Sequence, residues 1–210
     1  YLSLKPKPKH MKVLKVIGIV IAVLVVAVVV IGLIAPKEYT VSRSITINAP
    51  QDVVYNNVRL FENFNKWEPW GKYDEGKTEV TLEGTDGAVG TKRSWKGPKT
   101  GEGSMTIKAL EENKSVTWDL AFLKPYESHS DVTVSVTPAD GGQKVDWVMH
   151  GNMIFPFNAM GVFMPMDKMI GKDFENGLAN LKSVSESASP TAPTASVPAS
   201  EGADSTVVAN

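Results

Sequence analysis

The chain contains no cysteine among its 210 residues. That excludes disulfides, thiolate metal sites, cysteine nucleophiles and a thiol-linked lipid anchor, and it is compatible with any redox compartment. Histidine is nearly as scarce, with three in all. His129 and His150 fall at outward-facing strand positions, and neither belongs to a metal-ligand spacing. No Gly-x-Ser-x-Gly elbow, phosphate loop or dinucleotide fingerprint is present. Charge of one sign is lacking overall, at a net −1. It is unevenly spread, however. Residues 1–15 carry five lysines and no acid, leaving 17 basic against 23 acidic residues elsewhere. An acidic domain without a basic stripe is a poor partner for nucleic acid.

What the N-terminal region does have is a long apolar run. Residues 16–35, VIGIVIAVLVVAVVVIGLIA, form an uncharged stretch. At about 1.5 Å per residue it reaches about 30 Å, the hydrocarbon thickness of a bilayer. Its length and the lack of a small-x-small exit at Leu33-Ile34-Ala35-Pro36 argue for a transmembrane helix over a cleaved signal peptide. Lys5, Lys7, Lys9, Lys12 and Lys15 precede the run and only Lys37 follows closely. The positive-inside bias then places residues 1–15 in the cytoplasm and the remainder outside the cytoplasmic (inner) membrane. Met11 reads as the translation start, with residues 1–10 an upstream extension.

Residues 39–48 alternate as a first strand, with Tyr39, Val41, Ile45 and Ile47 on one face and Arg43 as the exception. Asn48-Ala49-Pro50 with Asp52 signals a helix start, and Val53, Val54, Val58 and Phe61 supply its apolar stripe. An aromatic segment follows, containing Phe64, Trp67 and Trp70 around Pro69. From Lys77 the period becomes two. Strands are expected over residues 77–83, 88–96, 103–110, 115–122, 128–137 and 143–151, separated by Gly-, Pro- and Asp-rich turns. Short connections make this an antiparallel meander. One face carries Val80, Leu82, Val89 and a larger set of apolar side chains; the other carries Lys92, Lys108, Asp119, Asp131, Thr133, Asp146 and His150. A long amphipathic helix is expected over residues 164–184, with Met166, Met169, Ile170, Phe174, Leu178 and Leu181 on one face. Gly171 and Gly177 within it fit either close packing on the sheet or room left for a ligand. The linker 152–163 is expected to cover one end of the sheet. Residues 186–210, rich in Ser, Ala, Pro and Thr, read as a disordered tail.

The element order resembles the helix-grip arrangement of the START-like (SRPBCC) superfamily, in particular its bacterial polyketide cyclase/dehydrase and lipid-transport branch. The stretches that carry the likeness are ITINAPQDVVY, WEPW, GTKRSWKGPKTGEGSMTI, FLKPYES and GKDFENGLANLK. The resemblance implies an α+β domain over residues 38–185, its antiparallel sheet wrapped around the C-terminal helix with a hydrophobic pocket between them. Its members range from lipid carriers to cyclases and chaperone cofactors, so activity must be argued from the site.

Strand and helix faces nominate the pocket wall. Trp95, Met105, Trp118, Leu120, Phe122, Val132, Trp147 and Met149 come from strands, and Met169, Phe174 and Leu178 from the helix. The alternative is that these side chains fill a dry core. Ser128 and Ser130 share the inward parity and could orient a polar head, or lie beyond the buried zone. Trp67 and Trp70 form either a mobile gate or a fixed plug. No buried acid or base suited to catalysis stands out, and neither a cofactor nor a metal is expected. The leading expectation is a membrane-anchored extracytoplasmic domain binding a hydrophobic small molecule or lipid. A protein-interaction module without ligand and a cyclase/dehydrase-type enzyme are the alternatives.

Overall fold

In a computed structural model of the chain, residues 8–188 are described. The apolar run forms helix α1, Pro8–Ile34. Its stretch Met11–Ile34 is long and apolar enough to cross a membrane, and nearly all of it stands clear of the rest of the chain. Strand β1 (Glu38–Ile47) begins four residues after α1 ends. Helices α2 (Gln51–Arg59) and α3 (Phe61–Trp67) and a 3-10 turn at Trp70–Lys72 follow. Pro50 precedes the first turn of α2, where its fixed φ and missing N–H cost nothing.

Six strands come next: β2 (Glu79–Glu83), β3 (Lys92–Gly97), β4 (Gly101–Glu111), β5 (Ser115–Lys124), β6 (Ser128–Ala139) and β7 (Gly142–Asn152). They form one sheet in the order β1-β7-β6-β5-β4-β3-β2, antiparallel throughout. Irregularities in the β4–β5 pairing at Glu102/Gly103 and Ile107/Ala109 disrupt the ladder there, the kind of local break that bends a strand. A short helix α4 (Asn158–Phe163) leads into the long helix α5 (Met166–Ala188), which packs chiefly on β1 and on α2 and α3. This is the helix-grip architecture that the pattern of elements implied.

Arg43, the polar exception on the inward face of β1, reaches α5. Its guanidinium donates to Asp167 Oδ1 at 2.6 Å and to Glu175 Oε1 at 3.0 Å. Gly171 is bare beneath it; a side chain there would collide with the guanidinium. Gly177 is likewise packed against Trp147 and Pro69. Both glycines therefore serve close packing.

Several expectations need correction. Residues 88–91 form a turn, and β3 starts at Lys92. Val80 and Leu82 are each 40% exposed and Val89 is 61% exposed. The cause is position: β2 pairs only with β3, at the sheet's edge, and Val89 lies in the turn between them. The long helix starts two residues later than expected and runs on to Ala188, into the segment expected to be a tail. The rest of that tail and the first seven residues lie outside the described residues. The linker packs beside α1 through α4, and most of its large side chains are exposed.

Candidate functional site

The concave sheet and α5 leave between them a cavity of about 410 Å³, within the size range of small-molecule sites. Buried side chains make its inner wall: Phe64 from α3, Met105 from β4, Trp147 and Met149 from β7, and Phe174 from α5. Half-buried ones line its outer part, with Trp95, Leu120 and Phe122 on the sheet and Met166 and Ile170 on the helix.

Aromatic packing fixes this geometry. Trp147 and Phe174 stack with centroids 4.2 Å apart and planes at 15°. Trp70 meets both edge-on, at 5.9 and 6.4 Å. Trp95 stands edge-on to Phe122 at 5.5 Å, and its indole lies across Gly103, where any side chain would displace it.

A smaller polar set interrupts the wall. Arg93, only 6% exposed, donates from Nε to Asn65 Oδ1 at 2.7 Å and sits over the Phe64 ring. Its Nη2 is 3.9 Å from Glu68 Oε1. Burial draws the guanidinium pKa down, and the charge of Glu68 opposes that shift. The second oxygen of Glu68 accepts from the backbone N–H of Trp70 at 2.6 Å and of Gly71 at 3.0 Å, which shapes the WEPW turn.

Two further carboxylates brace the rim. Asp173 accepts from Tyr73 Oη at 2.5 Å and from Trp70 Nε1 at 3.2 Å. The hydrogen bond to Asp173 raises the Tyr73 pKa, with burial and the carboxylate's charge adding to it. Asp74, 2% exposed, holds the β3–β4 turn. It accepts from Thr78 Oγ1 at 2.8 Å, from the N–H of Lys99 at 2.6 Å and of Thr100 at 3.3 Å, and from Thr100 Oγ1. Burial pushes the Asp74 carboxyl up, but these hydrogen bonds outweigh it and hold the pKa at about 2. Among the described residues there is no cluster of three or more His, Asp or Glu able to hold a metal ion.

Of the residues expected on a pocket wall, Trp95, Met105, Leu120, Phe122, Val132, Trp147, Met149 and Phe174 line this cavity. Three do not. Trp118 is fully buried beneath the α3 aromatics, 6.5 Å from Phe61 and 5.6 Å from Phe64, so it belongs to the core. Leu178 is core as well, while Met169 is 52% exposed on the outer side of α5. The two tryptophans of WEPW have different places. Trp67 is buried and pinned, donating from Nε1 to Asn57 O at 2.8 Å. Trp70 lies on the cavity wall. Ser128 also lines the cavity, whereas Ser130 is buried and bonded to Tyr39 Oη at 3.0 Å. Arg93, Glu68 and Tyr73 escaped the sequence reading. Arg93 shares the parity of Trp95, which was the available signal.

The comparisons with known proteins agree with the fold. No functionally curated protein matches the chain. Among solved structures, a protein of unknown function, SA2116 from Staphylococcus aureus, superposes with a TM-score of 0.56 at 12% identity, over 72% of this chain and 95% of its own. Protein CV1439 from Chromobacterium violaceum gives 0.52 at 16% identity, over 70% and 96%. The di-domain ARO/CYC StfQ of the steffimycin biosynthetic pathway gives 0.55 at 8% identity, over 72% of this chain and 51% of that one. At such identities the likeness is one of fold. The model of the family described as polyketide cyclase/dehydrase and lipid transport matches residues 38–186. The chain belongs to that family.

Proposed function

We propose that the domain binds one hydrophobic or amphipathic small molecule, of the lipid or isoprenoid class, between its sheet and α5. In this reading Met11–Ile34 anchors it in the cytoplasmic membrane and the domain lies on the outer side. The observation that carries the proposal is the cavity itself, about 410 Å³ and walled mainly by aromatic, methionine and aliphatic side chains. Each ~100 Å² of apolar ligand surface placed there contributes about 2.5 kcal/mol. The Arg93–Glu68 pair gives one wall polarity, which suits a ligand with a polar end. Glu68, Tyr73 and Asp173 are already hydrogen-bonded within and to the Trp70–Tyr73 segment, and Asp74 to the β3–β4 turn. That occupation favours positioning over proton transfer. The anchor is supported by the apolar helix and by the lysines before it.

The test is native mass spectrometry with lipid extraction on the full chain, purified in mild detergent from a membrane fraction. A co-purifying hydrophobic molecule is expected. Phe174→Ala should lose it, while Leu178→Ala, a core change off the wall, should retain it at comparable stability. Both variants should cost several kcal/mol, about 2–5 for the leucine and about 3–5 for the phenylalanine. A clean apo mass, with no thermal shift across a panel of lipids and isoprenoids, would reject ligand binding.

A further inference from the structure

The connector between β7 and α5 exposes large apolar side chains at a density unmatched elsewhere in the folded domain. Ile154, Phe157, Met160, Val162, Phe163 and Met164 are each 45–73% exposed. No charged residue occurs from Met153 to Met166. An exposed patch of this kind marks contact with something apolar.

Its neighbour is the base of α1. The Phe155 ring lies against Gly32, so closely that a side chain there would strike it. Asn158, 1% exposed, donates from Nδ2 to Gly32 O at 2.6 Å and to Ala35 O at 3.3 Å. The N–H of Met153 donates to Lys37 O at 2.7 Å. The connector is thus stitched to the last turn of the apolar helix, where Leu33 and Ile34 are 71% and 78% exposed. On its other flank Tyr126, from the β5–β6 turn, meets Phe157 at 5.6 Å.

The cavity occupies the same end of the sheet. Strand register pairs Glu38 with Asn152, Ser130 with Gly151, Phe122 with Ser128 and Gly97 with Gly101, so the start of β1 and the β3–β4 and β5–β6 turns lie together. Tyr39, Phe122, Ser128 and Met166 line the cavity from element ends on that side. No lining residue comes from the far ends of β1 and β7, around Ile47 and Gln143.

We propose that the connector is a second membrane-contacting element. It lies in the outer interface of the bilayer that α1 spans and holds the open end of the cavity against the lipid. An apolar ligand then passes between bilayer and cavity without crossing water. This inference rests on the membrane-anchored reading above. The occupant is a bilayer surface because the patch is continuous with the exposed face of α1 and carries no charge, as an interfacial element requires on its buried side.

The absence of cysteine makes the test direct. Single variants Phe163→Cys, Ile154→Cys, Leu24→Cys and Val89→Cys are labelled with an environment-sensitive fluorophore in the full chain. Each is reconstituted into phosphatidylcholine vesicles containing lipids with a quencher near the headgroup or deep in the acyl chain. Leu24 should lose fluorescence to the deep quencher, and Phe163 and Ile154 to the shallow one. Val89, exposed at a turn remote from α1, should respond only to aqueous iodide. Quenching at Leu24 without quenching at Phe163 and Ile154 would overturn the connector's role and leave the anchor standing. Shielding of Phe163 and Ile154 from lipid quencher and iodide alike would assign the patch to a second copy or another protein, and overturn it too. No lipid quenching at Leu24 would overturn the anchor and this inference together.

Discussion

Gly177 of α5 faces the indole of Trp147 at a distance that leaves no room for a side chain. A methyl group on Gly177 would fall 2.7 Å from Cζ3 of Trp147 and 3.3 Å from Cδ of Pro69. The indole is hemmed in, stacked on Phe174 and met edge-on by Trp67 at 5.3 Å. Gly177→Ala should therefore destabilise the domain. Alanine gains about 1 kcal/mol of helix propensity, but overpacking a closed core costs about 1–3 kcal/mol. A net loss of about 1 kcal/mol is expected, read as a lower urea midpoint at unchanged slope. Gly171→Ala should cost less, because the obstruction there is the far end of the Arg43 side chain, which can move aside.

The Arg93–Glu68 pair makes a second prediction. Both side chains are at most 10% exposed. Removing one charge of a buried pair leaves the other uncompensated, whereas replacing both is close to neutral. Glu68→Gln should lower stability by about 3 kcal/mol. The double variant Arg93→Met with Glu68→Gln should recover most of that loss. The measurement is a double-mutant cycle in urea. Additivity of the two single changes would show that the pair is not coupled.

Strand periodicity shows which side of a sheet a residue faces, but not how far along the strand it sits. Met105, Leu120, Val132, Trp147 and Met149 face the concave side, and so does Trp118; only their height separates cavity from core. That height depends on where α3 lands. Its Phe61 and Phe64 cover Trp118, a long-range contact with no local signal. On α5 the stripe was legible to within one residue: Met166, Ile170 and Phe174 face the cavity, and Met169 does not. Arg43 stands out in the sequence as the exception on an apolar strand face, whereas only the parity it shares with Trp95 marks Arg93. What justifies either at an inward position is a partner distant in sequence, Asp167 or Glu68. The exposed connector was mistaken for an end cover because its composition matches a core segment; only α1 beside it gives the apolar residues another destination.

Asp74 should make the domain sensitive to acid. Its folded-state pKa is about 2, below the unfolded value near 4. A depressed carboxyl contributes stability that is complete above about pH 4 and is lost as pH falls toward about 2. The β3–β4 turn at the cavity rim should loosen first, since the carboxylate holds the N–H groups of Lys99 and Thr100. Asp74→Asn should be less stable at neutral pH and show a flatter stability profile between those two values. Thermal unfolding followed across that range is the measurement. An unchanged slope in the variant would mean that other carboxylates carry the acid response.

Asp173 ties the Trp70–Tyr73 segment, on the cavity wall, to α5. The segment has two halves with different restraints. Trp67 is pinned through its Nε1 to Asn57 O, and its own carbonyl accepts from Asn180 Nδ2 at 3.0 Å. Trp70 and Tyr73 lie beyond Pro69 and hydrogen-bond to α5 through one carboxylate, Asp173, while the Trp70 ring also packs edge-on against Phe174. Asp173→Ala should free that outer half while Trp67 stays in place. Hydrogen bonds to a charged group contribute about 1.5–3 kcal/mol each, less at a wet rim, so a stability loss of about 1–2 kcal/mol is expected. The dissociation rate of a bound fluorescent fatty acid should rise by more than its association rate falls. Asn180→Ala, which removes one restraint on Trp67 instead, should lower stability and leave the dissociation rate unchanged. Tyr73 gives an independent readout. Its pKa is raised by the bond to Asp173, so the stability it contributes is present below the ordinary tyrosine pKa of about 10 and is lost as pH climbs through the raised value. In Asp173→Ala, ultraviolet titration should show one tyrosine returning toward its ordinary range, and the alkaline loss of stability should shrink with it. Faster dissociation without that spectroscopic change would mean the variant acts on α5 itself, and Trp70 would not be the moving part.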